Sequence, residues 1–160
     1  MKGAGMSDVP VEEYLCGRIR RAEQALMAHH EGVLRGYGLT MTQYNVLLVL
    51  SRSGGMSGAQ LARASGVTQQ TMAGVLGGLQ AKGLIDRHGS TDHAKVQIAS
   101  LTEDGRALLE RAFREVSILE RALTASFSAE EYSSVCELLE RATKVLIDQT
   151  HPLGAGSTKT

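Results

Sequence analysis

The sequence predicts a mainly α-helical fold with a small β-wing, a winged helix-turn-helix domain embedded in a helical dimerisation scaffold. Three observations predict it. The first is the order of signals from Ser57 to Thr102: short helix, Gly turn, second helix, two short β-type runs, then a Thr that opens a new helix. That order builds a helix-turn-helix with a β-wing, a shape that offers one helix to a DNA major groove. The second is a set of Ser/Thr-x-x-Gln/Glu capping boxes marking helix starts. The third is a long amphipathic repeat on each flank of the central stretch.

Residues 1–8 are small and polar and are expected to fray. From Val11 to about Arg35, Leu15, Ile19, Ala22, Leu26 and Val33 recur at helical spacing, and Gly36 and Gly38 end the run. Thr40-Met-Thr-Gln43 is a capping box opening an apolar helix through Tyr44, Leu47, Leu48 and Leu50. Ser57-Gly-Ala-Gln60 is a second box, and Gly66 permits the left-handed turn that ends the short helix it opens. Thr68 caps the next helix, in which Met72, Val75, Leu76 and Leu79 fall on one face until Gly83 stops it. Leu84-Ile85 and Val96-Gln97-Ile98 read as the wing strands. Thr102 caps a long helix carrying Leu109, Ala112, Phe113, Val116, Leu119 and Leu123. Ser128-Ala-Glu-Glu131 is a third box, before Tyr132, Val135, Leu138, Leu139, Ala142, Val145 and Leu146. The chain thus divides into an N-terminal dimerisation helix (9–38), the winged domain (39–102), C-terminal dimerisation helices (103–150) and a Gly/Ser/Thr tail expected to be disordered (151–160).

The flanking helices carry more apolar stripe than one small wing domain can cover. Burial of such stripes stabilises by roughly 25 cal/mol per Å². Two chains joined at these helices are therefore expected, as for other two-fold readers of symmetric DNA.

Composition narrows the function. The chain has 17 Lys and Arg against 17 Asp and Glu, so no overall basic charge draws it to nucleic acid. Charge is nonetheless divided. Residues 40–102 hold Arg52, Arg63, Lys82, Arg87 and Lys95 against Asp86 and Asp92, whereas residues 103–150 are acidic on balance. Cys16 and Cys136 stand far apart without metal-site spacing, and each reads as a small buried hydrophobe in a reducing compartment. No apolar run spans a bilayer and no signal core opens the chain, so a soluble, cytoplasmic protein is expected. No Gly-rich phosphate loop, nucleophile elbow or paired catalytic carboxylates are present, so an enzyme is not expected. His29 and His30 are adjacent and cannot share a helix face, and the long helix after Thr102 holds no His, so no metal is expected; no cofactor is expected either.

Five segments carry a family resemblance: Leu39-Thr-Met-Thr-Gln-Tyr-Asn-Val-Leu47, Leu61-Ala62, Val67-Thr-Gln-Gln-Thr-Met72, Gly83-Leu84-Ile85 and Leu101-Thr-Glu-Asp-Gly105. In order and spacing they resemble the multiple-antibiotic-resistance regulator (MarR) family over about Val11 to Gln149. The resemblance implies a homodimeric regulator, usually a repressor, on a pseudo-palindromic double-stranded operator. It implies release by a small phenolic or other aromatic acid, or by an oxidant, acting near the junction of DNA-binding and dimer regions.

By this resemblance the helix from Thr68 to Lys82 reads DNA, with Thr68, Gln69, Gln70 and Thr71 in its first turn. Gln bonds adenine bidentately, and Thr meets a phosphate or a thymine methyl. Ser57 joins them at the start of the preceding helix. Many relatives carry an Arg mid-helix where this chain has Ala73 and Gly74, with Gly77 and Gly78 beyond. Either a flexible helix or close backbone approach to DNA would follow. In the wing, the place of the family's basic triplet holds His93-Ala94-Lys95, which makes Lys95 the groove or phosphate cation, with Arg87 a second phosphate candidate. Lys lacks the planar fork of Arg, so a weaker preference for narrow A·T grooves is expected. His93 is a further wing candidate, and His88 reads as polar wing surface. Effector candidates are Cys16, His30, Tyr37, Met41 and Tyr44, of which Tyr44 also reads as core. Cys16 further resembles the sensing thiol of the organic-hydroperoxide branch, although Met41 and His30 stand where that branch has tyrosines.

Overall fold

The computed structural model describes residues 10, 13–89 and 96–149. His93, Lys95, the first eight residues and the tail beyond 150 lie outside them. The elements are α1 (Leu15–Gly36), α2 (Met41–Ser53), β1 (Met56–Ser57), α3 (Gly58–Ala64), α4 (Gln69–Ala81), β2 (Ile85–Gly89), β3 (Gln97–Leu101), α5 (Glu103–Ala125) and α6 (Ala129–Gln149). They group into two units, residues 1–116 and 117–160.

Local chemistry explains the helix boundaries. Thr40 accepts from the Gln43 N–H while the Gln43 side chain accepts from the Thr40 N–H, at 3.2 Å each. Ser57 and Gln60 repeat the pattern, as do Ser128 and Glu131. Each box satisfies two donors that a helix start otherwise leaves open. Gly66 (φ 64°) and Gly83 (φ 70°) turn the chain after α3 and α4 through a conformation that L side chains resist.

Among the described residues, the first unit carries all sixteen buried apolar ones, from Leu34 to Ala112. Leu47 and Leu50 of α2, Leu61 of α3, and Met72, Leu76 and Leu79 of α4 are all at most 1 % exposed. Each such side chain stabilises by about 1.5–3 kcal/mol. Tyr44 is buried among them at 5 % exposure, the core role its helical position allows.

The sheet differs from expectation in two ways. It has three antiparallel strands in the order β1-β3-β2, not two. The extra strand, Met56–Ser57, pairs Met56 with Ala99 and Ser57 with Ile98. Two residues are too short to carry a period-2 pattern, so capping chemistry was all they displayed. Leu84 also lies ahead of its strand: its carbonyl accepts from Thr102 N–H at 3.2 Å, and β2 begins at Ile85.

One glycine ties the wing to α5. A Cβ on Gly105 would overlap the Leu84 carbonyl oxygen and stand 2.9 Å from its carbon. Thr102 Oγ1 donates to Gly83 O (2.7 Å) and accepts from Gly105 N–H (2.9 Å). The end of the α4 turn and the start of α5 are thus in backbone contact, which explains the Thr-x-x-Gly spacing.

In the second unit, Ser128 starts α6 and Tyr132 Oη donates to Glu120 Oε1 at 3.5 Å. No residue of α6 is buried. Leu138, Leu139, Val145 and Leu146 are between 46 and 56 % exposed.

Candidate nucleic-acid interface

The first turn of α4 is held rigidly and presents polar side chains. Thr68 is the N-cap, with Oγ1 accepting from Thr71 N–H at 3.1 Å and lying 2.9 Å from Thr71 Oγ1. One hydroxyl donates to the other, so one hydroxyl hydrogen of the pair stays open beside the Thr68 methyl. Gln69 and Gln70 are exposed, and their amides have no partner among the described residues. A capped helix start also offers open N–H groups to an anion.

Ser57 sits at the start of α3, half-buried, and its hydroxyl is committed to the capping box: Oγ donates to Gln60 Oε1 (2.9 Å) and accepts from Gln60 N–H (3.3 Å). Arg87 and His88 are exposed on β2, paired with Ala99 and Ile98 of β3. His93 and Lys95 fall outside the described residues.

The α4 glycines separate into two kinds. A Cβ on Gly74 or Gly77 would meet nothing, and both residues are exposed. A Cβ on Gly78 would stand 3.1 Å from Gln43 Nε2. Gly74 and Gly77 therefore answer to no packing demand within the chain, whereas Gly78 makes room for a side chain of α2.

The effector candidates do not form one cluster. Tyr37 and Met41 flank the α1–α2 corner, half-buried and packed on the core. The Arg111 guanidinium lies 5.6 Å from the centre of the Tyr37 ring, within cation–π range. Beside them is a groove of about 370 Å³ lined by Glu31, Arg35, Gly38, Leu39, Thr40 and Met41. Tyr44 is core, and burial raises its pKa. His30 is half-buried; burial first, and the neighbouring His29 second, lower its pKa. Cys16 lies in the first turn of α1. It is exposed, as is Cys136, contrary to the buried reading. Both are on amphipathic helices at positions the core does not reach, which helical periodicity alone does not distinguish from the core face. Among the described residues no group of three or more His, Cys, Asp or Glu side chains could hold a metal ion. No helix among them is long and apolar enough to cross a membrane.

Two features escaped the sequence. Lys82, the C-cap of α4, donates from Nζ to Gly38 O (2.5 Å) and to Gln43 Oε1 (2.9 Å). Gly105 makes its backbone contact with Leu84. The Thr-x-x-Gly spacing signalled the second; nothing local signals a bond across 39 or 44 residues.

Known proteins share this architecture. The family model described as MarR family matches residues 37–95. A helix-turn-helix-type transcriptional repressor of Mycobacterium tuberculosis is 32% identical over 137 residues, covering 86% of this chain and 96% of the relative. Two solved structures support the fold at 24% identity each. The repressor CouR bound to a 23-mer DNA duplex has a TM-score of 0.74 over 89% of this chain and 99% of its own. BpsR of Bordetella bronchiseptica, whose DNA binding is regulated by 6-hydroxynicotinic acid, has a TM-score of 0.71 over 84% and 96%. With the wing, the capped α4 and this near full-length similarity in place, the chain belongs to the MarR family of winged helix-turn-helix transcription regulators.

Proposed function

We propose that this chain is a repressor acting as a homodimer on a pseudo-palindromic duplex, with the α4 starts of two copies in successive major grooves. The observation that carries this is the exposed, internally unpartnered pair Gln69 and Gln70 on a helix start fixed by Thr68. Gln69 and Gln70 read adenine edges, the Thr68 methyl meets thymine, and α4 N–H groups with Thr71 hold phosphate. Ser57 acts at the start of α3, and Arg87, His93 and Lys95 act from the wing. The half-site centres then lie about one duplex turn apart, near 34–36 Å. The apolar stripe of α6 is the surface that pairs the copies, consistent with its exposure.

Release by a small aromatic or phenolic acid completes the reading. The groove at the α1–α2 corner holds a ring of that size, and Arg35 on its wall supplies a cation for a carboxylate. BpsR responds to a ligand of this chemistry. Oxidant sensing through Cys16 is the second reading, favoured by the exposure of its thiol. Fluorescence anisotropy on the DNA upstream of the protein's own gene tests the whole. The expected result is sequence-preferring binding that weakens steeply with salt and is reversed by aromatic acids. Salt-insensitive or sequence-blind behaviour sinks it, and reversal by peroxide that Cys16→Ser abolishes selects the thiol reading.

A further inference from the structure

Lys82 is the cation nearest the C-terminal end of α4, and a lysine on a DNA-reading helix is ordinarily assigned to phosphate. Its geometry points elsewhere. Its ammonium bridges two acceptors on other parts of the fold, Gly38 O at 2.5 Å and Gln43 Oε1 at 2.9 Å. Gly38 is left-handed (φ 64°) in the corner between α1 and α2, so its carbonyl direction is set by a backbone that other residues resist. Gln43 Oε1 is pinned as well, because it also accepts from Thr40 N–H in the α2 capping box. Gly78 of α4, by lacking a Cβ, leaves the space Gln43 occupies. One side chain thus joins the end of α4 to two rigid acceptors from the start of α2.

We propose that Lys82 is a positioning residue for DNA reading, fixing the tilt and roll of α4 through Gly38 and Gln43, and is not itself a phosphate ligand. The inference rests on the reading of α4 as the DNA-reading helix. Met72, Leu76 and Leu79 hold α4 on the core, but apolar burial is non-directional and tolerates small rotations. The two Lys82 bonds are directional and tie the end of α4 to the α1–α2 corner, which biases α4 toward one orientation. From Lys82 to Gln69 the helix rises about 20 Å, at roughly 1.5 Å per residue. A tilt of about 5° at that arm moves the glutamine tips by roughly 1.7 Å, more than a hydrogen bond to a base edge tolerates. Loss of the strut therefore removes sequence preference before it removes general affinity.

The test uses a duplex selected from a random library by the unmodified protein, beside a shuffled duplex of the same composition, each titrated at several salt concentrations. Lys82→Met is expected to weaken binding to the selected duplex about tenfold and to the shuffled one less than about twofold, with an unchanged salt slope. Gln43→Leu leaves the Lys82 charge in place and is expected to do the same; Gln43→Glu keeps an acceptor and restores the preference. Parallel losses on both duplexes, with a slope shallower by about one, would make Lys82 a phosphate cation and overturn the proposal. So would full selectivity in both Lys82→Met and Gln43→Leu. Should Lys82→Met not fold, the two Gln43 variants decide alone. A wild-type chain that enriches no sequence overturns the DNA reading itself, and the inference with it.

Discussion

The two units of this protein bury their apolar residues to opposite extents. Up to Val116 the chain closes a core of its own, with Leu34, Leu47, Leu61, Met72 and Leu79 fully excluded from solvent. From Ser117 on it makes equally regular helices, yet α6 has no fully buried residue and leaves Ile147 60 % exposed. Helix propensity and capping are similar in both. The difference is packing, which supplies most of a helix's stability in a folded protein. The open stripe of α6 is the surface on which the proposed pairing of copies rests.

The sharpest way to break this contrast is inside the first unit. Gly105→Ala places a methyl on the Leu84 carbonyl, so backbone on one side of the contact must shift. A loss of about 3 kcal/mol or more is expected, read as a large fall in thermal midpoint. Wild-type stability in that variant would mean that the α5 start is not seated against Leu84. The second unit should behave in the reverse way. Leu146→Asp removes no buried contact within the chain, so the winged unit should stay folded. In the proposed dimer it places a charge in a desolvated seam, and sedimentation should show monomers. Operator affinity should then fall by about tenfold or more. A dimer unaffected by that charge would assign pairing to another face. The smallest effect sharpens the role of α4. Gly74→Ala meets open space and should stabilise by about 1 kcal/mol through helix propensity. If DNA affinity falls while the thermal midpoint rises, that glycine serves close approach to the duplex; if affinity holds, it does not.

Much of the first unit was legible because its signals are local. Thr40 and Ser57 sit within three residues of their capping partners, as Ser128 does in the second unit, and Gly66 and Gly83 bend the chain where they stand. The faces of α2 and α4 followed from period, with Tyr44, Leu47, Met72 and Leu76 inward. What spacing does not carry is contact between distant segments. The β1 strand exists because Met56 and Ser57 meet Ala99 and Ile98, some forty residues on. Lys82 had the same appearance as any surface cation until its partners at Gly38 and Gln43 were in view. The cysteines mislead for a related reason: a small apolar residue on an amphipathic helix takes its environment from its neighbours, and Cys16 and Cys136 both face outward. The placement of Thr68 as the cap of α4, with Gln69, Gln70 and Thr71 exposed in its first turn, was readable from spacing, while the effector candidates dispersed, with Tyr44 in the core and Cys16 apart from the corner groove.

The junction at Thr102 carries a mechanical consequence. Its hydroxyl and amide reach Gly83 and Leu84 while its cap holds Gly105, so the end of α4, the first wing strand and the start of α5 are stitched together at one residue. A twist applied to the first turns of α5 arrives at the base of the wing with no slack to absorb it. A single added methyl at Gly105 would therefore be felt at once by Leu84 and, through it, by the strand that opens the wing.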